Sequence, residues 1–178
     1  MLSESRAAAA DTRHRIDYPN SRPRALALVG LGDGGAKIAR RAGEHGFAHV
    51  RILTAEHPSP DRHVDSGEAS ALTGMARAIA AEGHRLGQAL EQADMIFMVA
   101  TPTDDLGVAA EIGQLGRQRN ILITGVLIAP SATAPNVDGA LELLRAATDM
   151  LVIASDASYV MEMLAELGAT TAVNKGTD

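Results

Sequence analysis

The chain has 178 residues, enough for one domain with its own hydrophobic core. It contains no cysteine, which excludes disulfides, thiolate catalysis and cysteine metal sites. The formal net charge of −6, without a basic cluster or any tryptophan, argues against nucleic-acid binding. No stretch approaches the roughly 20 apolar residues of a membrane span, and the N-terminus has no apolar signal core. We therefore expect a cytoplasmic protein with no nucleic-acid and no membrane partner.

We predict that residues 1–24 are a disordered tail or a leader, because they lack apolar periodicity and contain Pro19 and Pro23. A short helix that docks on the domain or on a partner is the alternative. The remaining residues, 25–178, form one predicted domain.

Apolar strands and amphipathic helices alternate through that domain. We expect strands at 25–29, 50–53, 95–100, 121–128 and 150–154, helices at 35–45, 71–92, 106–118, 137–147 and 159–167, and a short strand around 170–173. This order predicts an α/β fold of three layers, with a doubly wound, mostly parallel, Rossmann-like sheet of five or six strands.

A glycine-rich loop joins the first strand to the first helix. Gly30, Gly32 and Gly35 have GxGxxG spacing, and Gly34 adds a fourth glycine. Free N–H groups at a helix N-terminus favour an anion, so the loop predicts nucleotide binding. One alternative is an NAD site, with Glu56 on the ribose after the second strand. The other is a tight turn that needs its glycines without any ligand.

Several segments in chain order resemble the nucleotide-binding half of the FtsZ/tubulin superfamily. They are GLGDGGAKIARR, HVRILTAE, ALEQADMIFMVA, ILITGVLIAP and ALELLRAATDMLVIASD, the last being the most specific. The resemblance implies that domain's fold and a GTP site between two loops. The residues it assigns to that site, together with Glu56, are Gly30, Gly32, Asp33, Gly34, Gly35, Thr101, Thr103, Asp104, Asp105 and Gly107.

The second of these loops departs from the family's Gly/Thr-rich phosphate loop. Pro102 has no N–H to donate, and Asp104 and Asp105 bring carboxylates towards the phosphates. Two charges 4 Å apart interact by about 4 kcal/mol at an effective dielectric of 20, so GTP or GDP binding is expected to be weak. The family's catalytic loop and second domain have no counterpart, so GTP hydrolysis is not expected.

The acidic residues allow other interpretations. Asp33, Asp104 and Asp105 could converge on a cation, but N-capping of the helix starting at Leu106 is the simpler expectation. A second candidate metal cluster, which we also set aside, comprises His57, Asp61, His63 and Asp65. We assign no catalytic residue and no metal ligand.

The resulting prediction is a degenerate FtsZ-like domain that is not an active GTPase. It would act as a binding, regulatory or oligomerising module, as a homo-oligomer or with a protein partner. The alternatives are an FtsZ-like protein that retains GTP or GDP, and an NAD(P)-binding Rossmann protein.

Overall fold

The computed structural model describes residues 24–55 and 84–167. Five strands form one sheet: β1 (Leu26–Leu31), β2 (Val50–Ala55), β3 (Met95–Ala100), β4 (Leu122–Ile128) and β5 (Met150–Ala154). Their spatial order is β2-β1-β3-β4-β5, and every neighbouring pair is parallel. The predicted α/β class with a doubly wound sheet is confirmed.

Helices cover both faces of this sheet. They are α1 (Gly32–Glu44), α2 (described over 84–90), α3 (Ala109–Arg119), α4 (Val137–Ala147) and α5 (Ser158–Glu166). The core on one face joins the sheet to α2, α3 and α4, and the core on the other face joins it to α1 and α5. The predicted three-layer architecture therefore holds.

The central strands read as continuous apolar runs because both of their faces are covered. All six residues of β1 are buried, and so are the last five of β3. Such runs are typical of parallel strands between two helical layers. β5 is different, because it lies at one edge of the described sheet and none of its five residues is fully buried.

Two helices begin three residues away from their expected starts. Helix α1 begins at Gly32, three residues before the expected start, because its first turn is capped by a side chain distant in sequence. Helix α3 begins at Ala109, three residues after the expected Leu106. The Asp105 carboxylate accepts a hydrogen bond from Gly107 N at 2.8 Å, which holds this stretch in a turn.

Two aspartates join strands at the end of the sheet where the strands begin. Asp149, just before β5, accepts a hydrogen bond from Ile123 N in β4 at 2.8 Å. Asp94, just before β3, accepts one from Ala25 N at 2.9 Å. Residue Asp149 belongs to the most specific segment of the FtsZ-like resemblance, and its role here is local hydrogen bonding between neighbouring strands.

Candidate functional site

The candidate site lies between β1 and β3, where the strand order of the sheet reverses. The chain passes from β1 to β2 on one side and from β3 through β4 to β5 on the other. Ligands of doubly wound sheets bind in the crevice beyond the carboxyl ends of the strands at such a point. The loop after β1 and the loop after β3 flank this crevice, as the sequence predicts.

A tight turn after β3 positions Asp104. Asp104 N donates a hydrogen bond to Thr101 O at 3.1 Å, which closes a four-residue turn with Pro102 at its second position. Proline suits that position because its fixed φ matches the turn. The Asp104 side chain folds back inside the turn, and its Oδ2 accepts hydrogen bonds from Thr101 N at 2.6 Å and Thr101 Oγ1 at 2.9 Å.

The same carboxylate occupies the anion position of the glycine loop. Gly34 N donates to Asp104 Oδ1 at 2.7 Å, and Gly35 N donates to Asp104 Oδ2 at 2.9 Å. With Leu31 as the N-cap, Gly34 N–H is the last of the four N–H groups that have no acceptor within the helix, and Gly35 N–H is the next one along. The N-cap residue, Leu31, contributes no side-chain hydrogen bond. Asp104 thus caps a helix that lies 70 positions earlier in the chain, with a charged acceptor where a phosphate would bind.

The loop glycines are required by packing and by this cap. A Cβ on Gly35 would collide with the carbonyl of Val99 in β3, and a Cβ on Gly30 would collide with Gly35. A Cβ on Gly34 would lie 2.6 Å from Thr101 Oγ1 and 2.8 Å from Asp104 Oδ2. Gly32 has φ +60°, which side chains rarely adopt, and a Cβ there would lie 2.7 Å from Asp104 Cβ. The GxGxxG spacing therefore has a complete structural explanation without a ligand.

The other predicted site residues of this region lie around the cap without joining it. Thr103 Oγ1 is 3.5 Å from Thr101 Oγ1. Asp105, which is exposed, bonds Gly107 in the following turn, and Asp33 is exposed on the first turn of α1. Among the described residues, no group of three or more metal-ligating side chains is close enough to hold a cation. The three aspartates therefore do not converge into a metal cluster.

The expected N-capping role of these aspartates takes another form. We expected Asp104 or Asp105 to cap the helix that follows them, but Asp104 caps α1 instead. The Thr-Pro-Thr-Asp sequence indicates the tight turn, but the loop that its carboxylate faces follows only from the pairing of β1 with β3. Other predictions lie outside the described residues, namely Glu56, the cluster from His57 to Asp65, the strand around 170–173 and the tail at 1–23.

Comparisons with known proteins correct the FtsZ/tubulin resemblance. No protein family matches the chain, and no curated protein sequence matches it. Among solved structures, the chain is similar to a Burkholderia pseudomallei protein described as a putative pilus assembly-related protein. It is 17% identical, with a TM-score of 0.41, covering 83% of this chain and 91% of that chain.

The assignment to the FtsZ/tubulin superfamily was therefore wrong. Its segments consist of an apolar strand, a glycine turn and strand-joining aspartates. In this chain such features serve the fold itself, because Asp149 bonds a neighbouring strand and Gly35 packs closely on Val99. In the part of the chain that the structure describes, no helix has the length and apolar character needed to cross a membrane.

Proposed function

We propose that this domain is a non-catalytic binding module whose phosphate-type loop is closed by its own side chain. The observation that carries the proposal is the Asp104 carboxylate on Gly34 N and Gly35 N. A nucleotide phosphate would need the same donors and would meet a negative charge already bonded to them. The domain would accordingly work through contact with another protein chain, and its cytoplasmic location stays a prediction.

The far edge of the sheet supports self-association as the mode of action. β5 has the sequence Met-Leu-Val-Ile-Ala, with no charged residue or proline that would protect an edge strand. Met150 and Ile153 are both 54% exposed, and Leu143 on α4 is 55% exposed. An uncharged edge can pair with the same edge of a second copy about a two-fold axis. We therefore infer a homodimer that joins two β5 strands.

A ligand panel tests the closed loop. Melting temperatures of the wild-type protein would be measured with GTP, GDP, ATP, NAD and NADP, each with and without Mg²⁺. A ligand that binds the folded state raises the melting temperature by mass action. The proposal predicts no shift with any of the five. A saturable shift with GTP or GDP would establish the nucleotide-binding alternative, and one with NAD or NADP the dinucleotide alternative.

A further inference from the structure

An apolar groove of about 440 Å³ lies on the sheet face that carries α1 and α5, at the end where the strands begin. We call it the α5 groove. Its floor comes from β3, β4 and β5 and its wall from α5, and its apolar lining includes Met95, Phe97, Met150, Val152, Tyr159 and Met163. Two exposed carboxylates on α5, Glu162 and Glu166, also line it. The groove thus combines an apolar floor with an acidic wall.

The chain enters the domain at the border of this groove. Arg24 Nη1 lies 3.6 Å from Sδ of Met95, a lining residue. Ala25 N is held by Asp94 Oδ2, which fixes the direction of entry. Side chains alternate along an extended chain, so Arg24 shares a face with Leu26, which packs in the core on the groove side. Arg24, at which the described part of the chain begins, therefore lies beside the α5 groove and on its face.

The residues before Arg24 have the chemistry that the groove requires. The sequence from 15 to 23 is Arg-Ile-Asp-Tyr-Pro-Asn-Ser-Arg-Pro, with Ile16 and Tyr18 as its large apolar side chains. Arg15 and Arg22 carry charges of the opposite sign to Glu162 and Glu166 on the groove wall, in a chain whose formal net charge is −6.

The length of this segment also matches the groove. Adjacent strands lie about 4.8 Å apart, so β3 and β5 are separated by about 10 Å. An extended chain advances about 3.3 Å per residue, so the six steps from Arg24 back to Tyr18 span up to about 20 Å. Pro19 and Pro23 favour an extended conformation in the residues that precede them. Tyr18 can therefore reach any part of the groove.

We propose that residues 15–23 dock in the α5 groove of their own chain. Tyr18 and Ile16 cover its apolar floor, and Arg15 and Arg22 pair with Glu162 and Glu166. The segment then serves as a built-in occupant of this surface, which any partner using the groove must displace.

A tryptophan reporter tests this docking in the full chain. The protein has no tryptophan, so Tyr18→Trp introduces a single fluorophore at the centre of the segment. We expect blue-shifted emission and several-fold weaker iodide quenching than for Leu2→Trp, which lies before the segment. The charge reversal Glu162→Lys/Glu166→Lys in the Tyr18→Trp background is expected to shift the emission to the red and restore quenching.

Matched controls separate docking from general effects. Asp138→Lys/Glu142→Lys reverses two exposed acids with the same four-residue spacing on α4, on the opposite face of the sheet, and should leave the emission unchanged. Far-UV circular dichroism confirms that each variant is folded. The proposal is overturned if Tyr18→Trp emits like Leu2→Trp, or if the groove and control reversals act alike. Protection that grows with protein concentration would assign the groove to the segment of a second copy and would also overturn it.

Discussion

Asp104 Oδ1 accepts a hydrogen bond from Gly34 N at 2.7 Å, across 70 positions of sequence. This contact joins the loop after β3 to the first turn of α1 and places a carboxylate at the one position of a Rossmann-like loop where anions bind. A glycine-rich loop that would otherwise indicate a nucleotide site is thereby converted into a capped helix.

Replacing Asp104 with alanine should destabilise the fold. The change removes the acceptor of four hydrogen bonds and leaves the N–H groups of Gly34, Gly35 and Thr101 without it. Because a lost helix cap and unsatisfied N–H donors both destabilise a fold, we expect the free energy of unfolding to fall by about 2–3 kcal/mol. Urea denaturation measures it.

Asp105→Ala is the matched control for this loss. Asp105 is exposed and accepts a hydrogen bond from Gly107 N in the following turn, away from α1, so the cost should stay below about 1 kcal/mol. Equal losses for the two neighbouring aspartates would mean that the contacts to α1 contribute nothing.

Gly34→Ala should also destabilise, although alanine favours helices. Its Cβ would lie 2.8 Å from Asp104 Oδ2 and push the carboxylate out of the cap. Gly139→Ala, within α4, has no atom within 4 Å of the new Cβ and should stabilise by about 0.5–1 kcal/mol through helix propensity. Thermal unfolding of the two variants should therefore shift in opposite directions, and a stabilised Gly34→Ala variant would refute the packing around the cap.

Asp149→Ala should weaken the edge of the sheet. The carboxylate accepts Ile123 N at 2.8 Å, and its loss should cost about 1–2 kcal/mol. Hydrogen exchange should show faster exchange at Ile123 and in β5, with β1 less affected. Uniform acceleration across all strands would indicate instead that the sheet opens only as a whole.

Ile153→Lys tests the proposed homodimer. A lysine on an exposed edge strand disfavours strand pairing, and a symmetric dimer would bring two such charges together. Light scattering after size exclusion should give a dimer for the wild type and a monomer for the variant. Leu122→Lys is the control for added charge away from β5, because Leu122 is 42% exposed at the start of β4. This variant should remain a dimer. A monomeric wild-type protein would overturn the proposed homodimer.

The fold could be predicted closely because periodicity is a local property. β3, α4 and β5 begin and end where the apolar pattern indicated. The Asp104 cap could not be derived from local pattern, because it needs the spatial order of β1 and β3. The glycine spacing was ambiguous for a physical reason. Close packing of Gly35 on Val99 and phosphate binding both demand glycine at the same positions.

The amide resonances of Gly34 and Gly35 test the central claim most directly. In ¹⁵N–¹H spectra of the wild-type protein, titration with Mg²⁺-GTP or inorganic phosphate should leave both resonances in place, because Asp104 already accepts both hydrogen bonds. In Asp104→Ala, both should move on adding phosphate, since the donors are exposed. Saturable shifts of Gly34 and Gly35 in the wild type would contradict the account, because they would show an anion taking the position assigned to the Asp104 carboxylate.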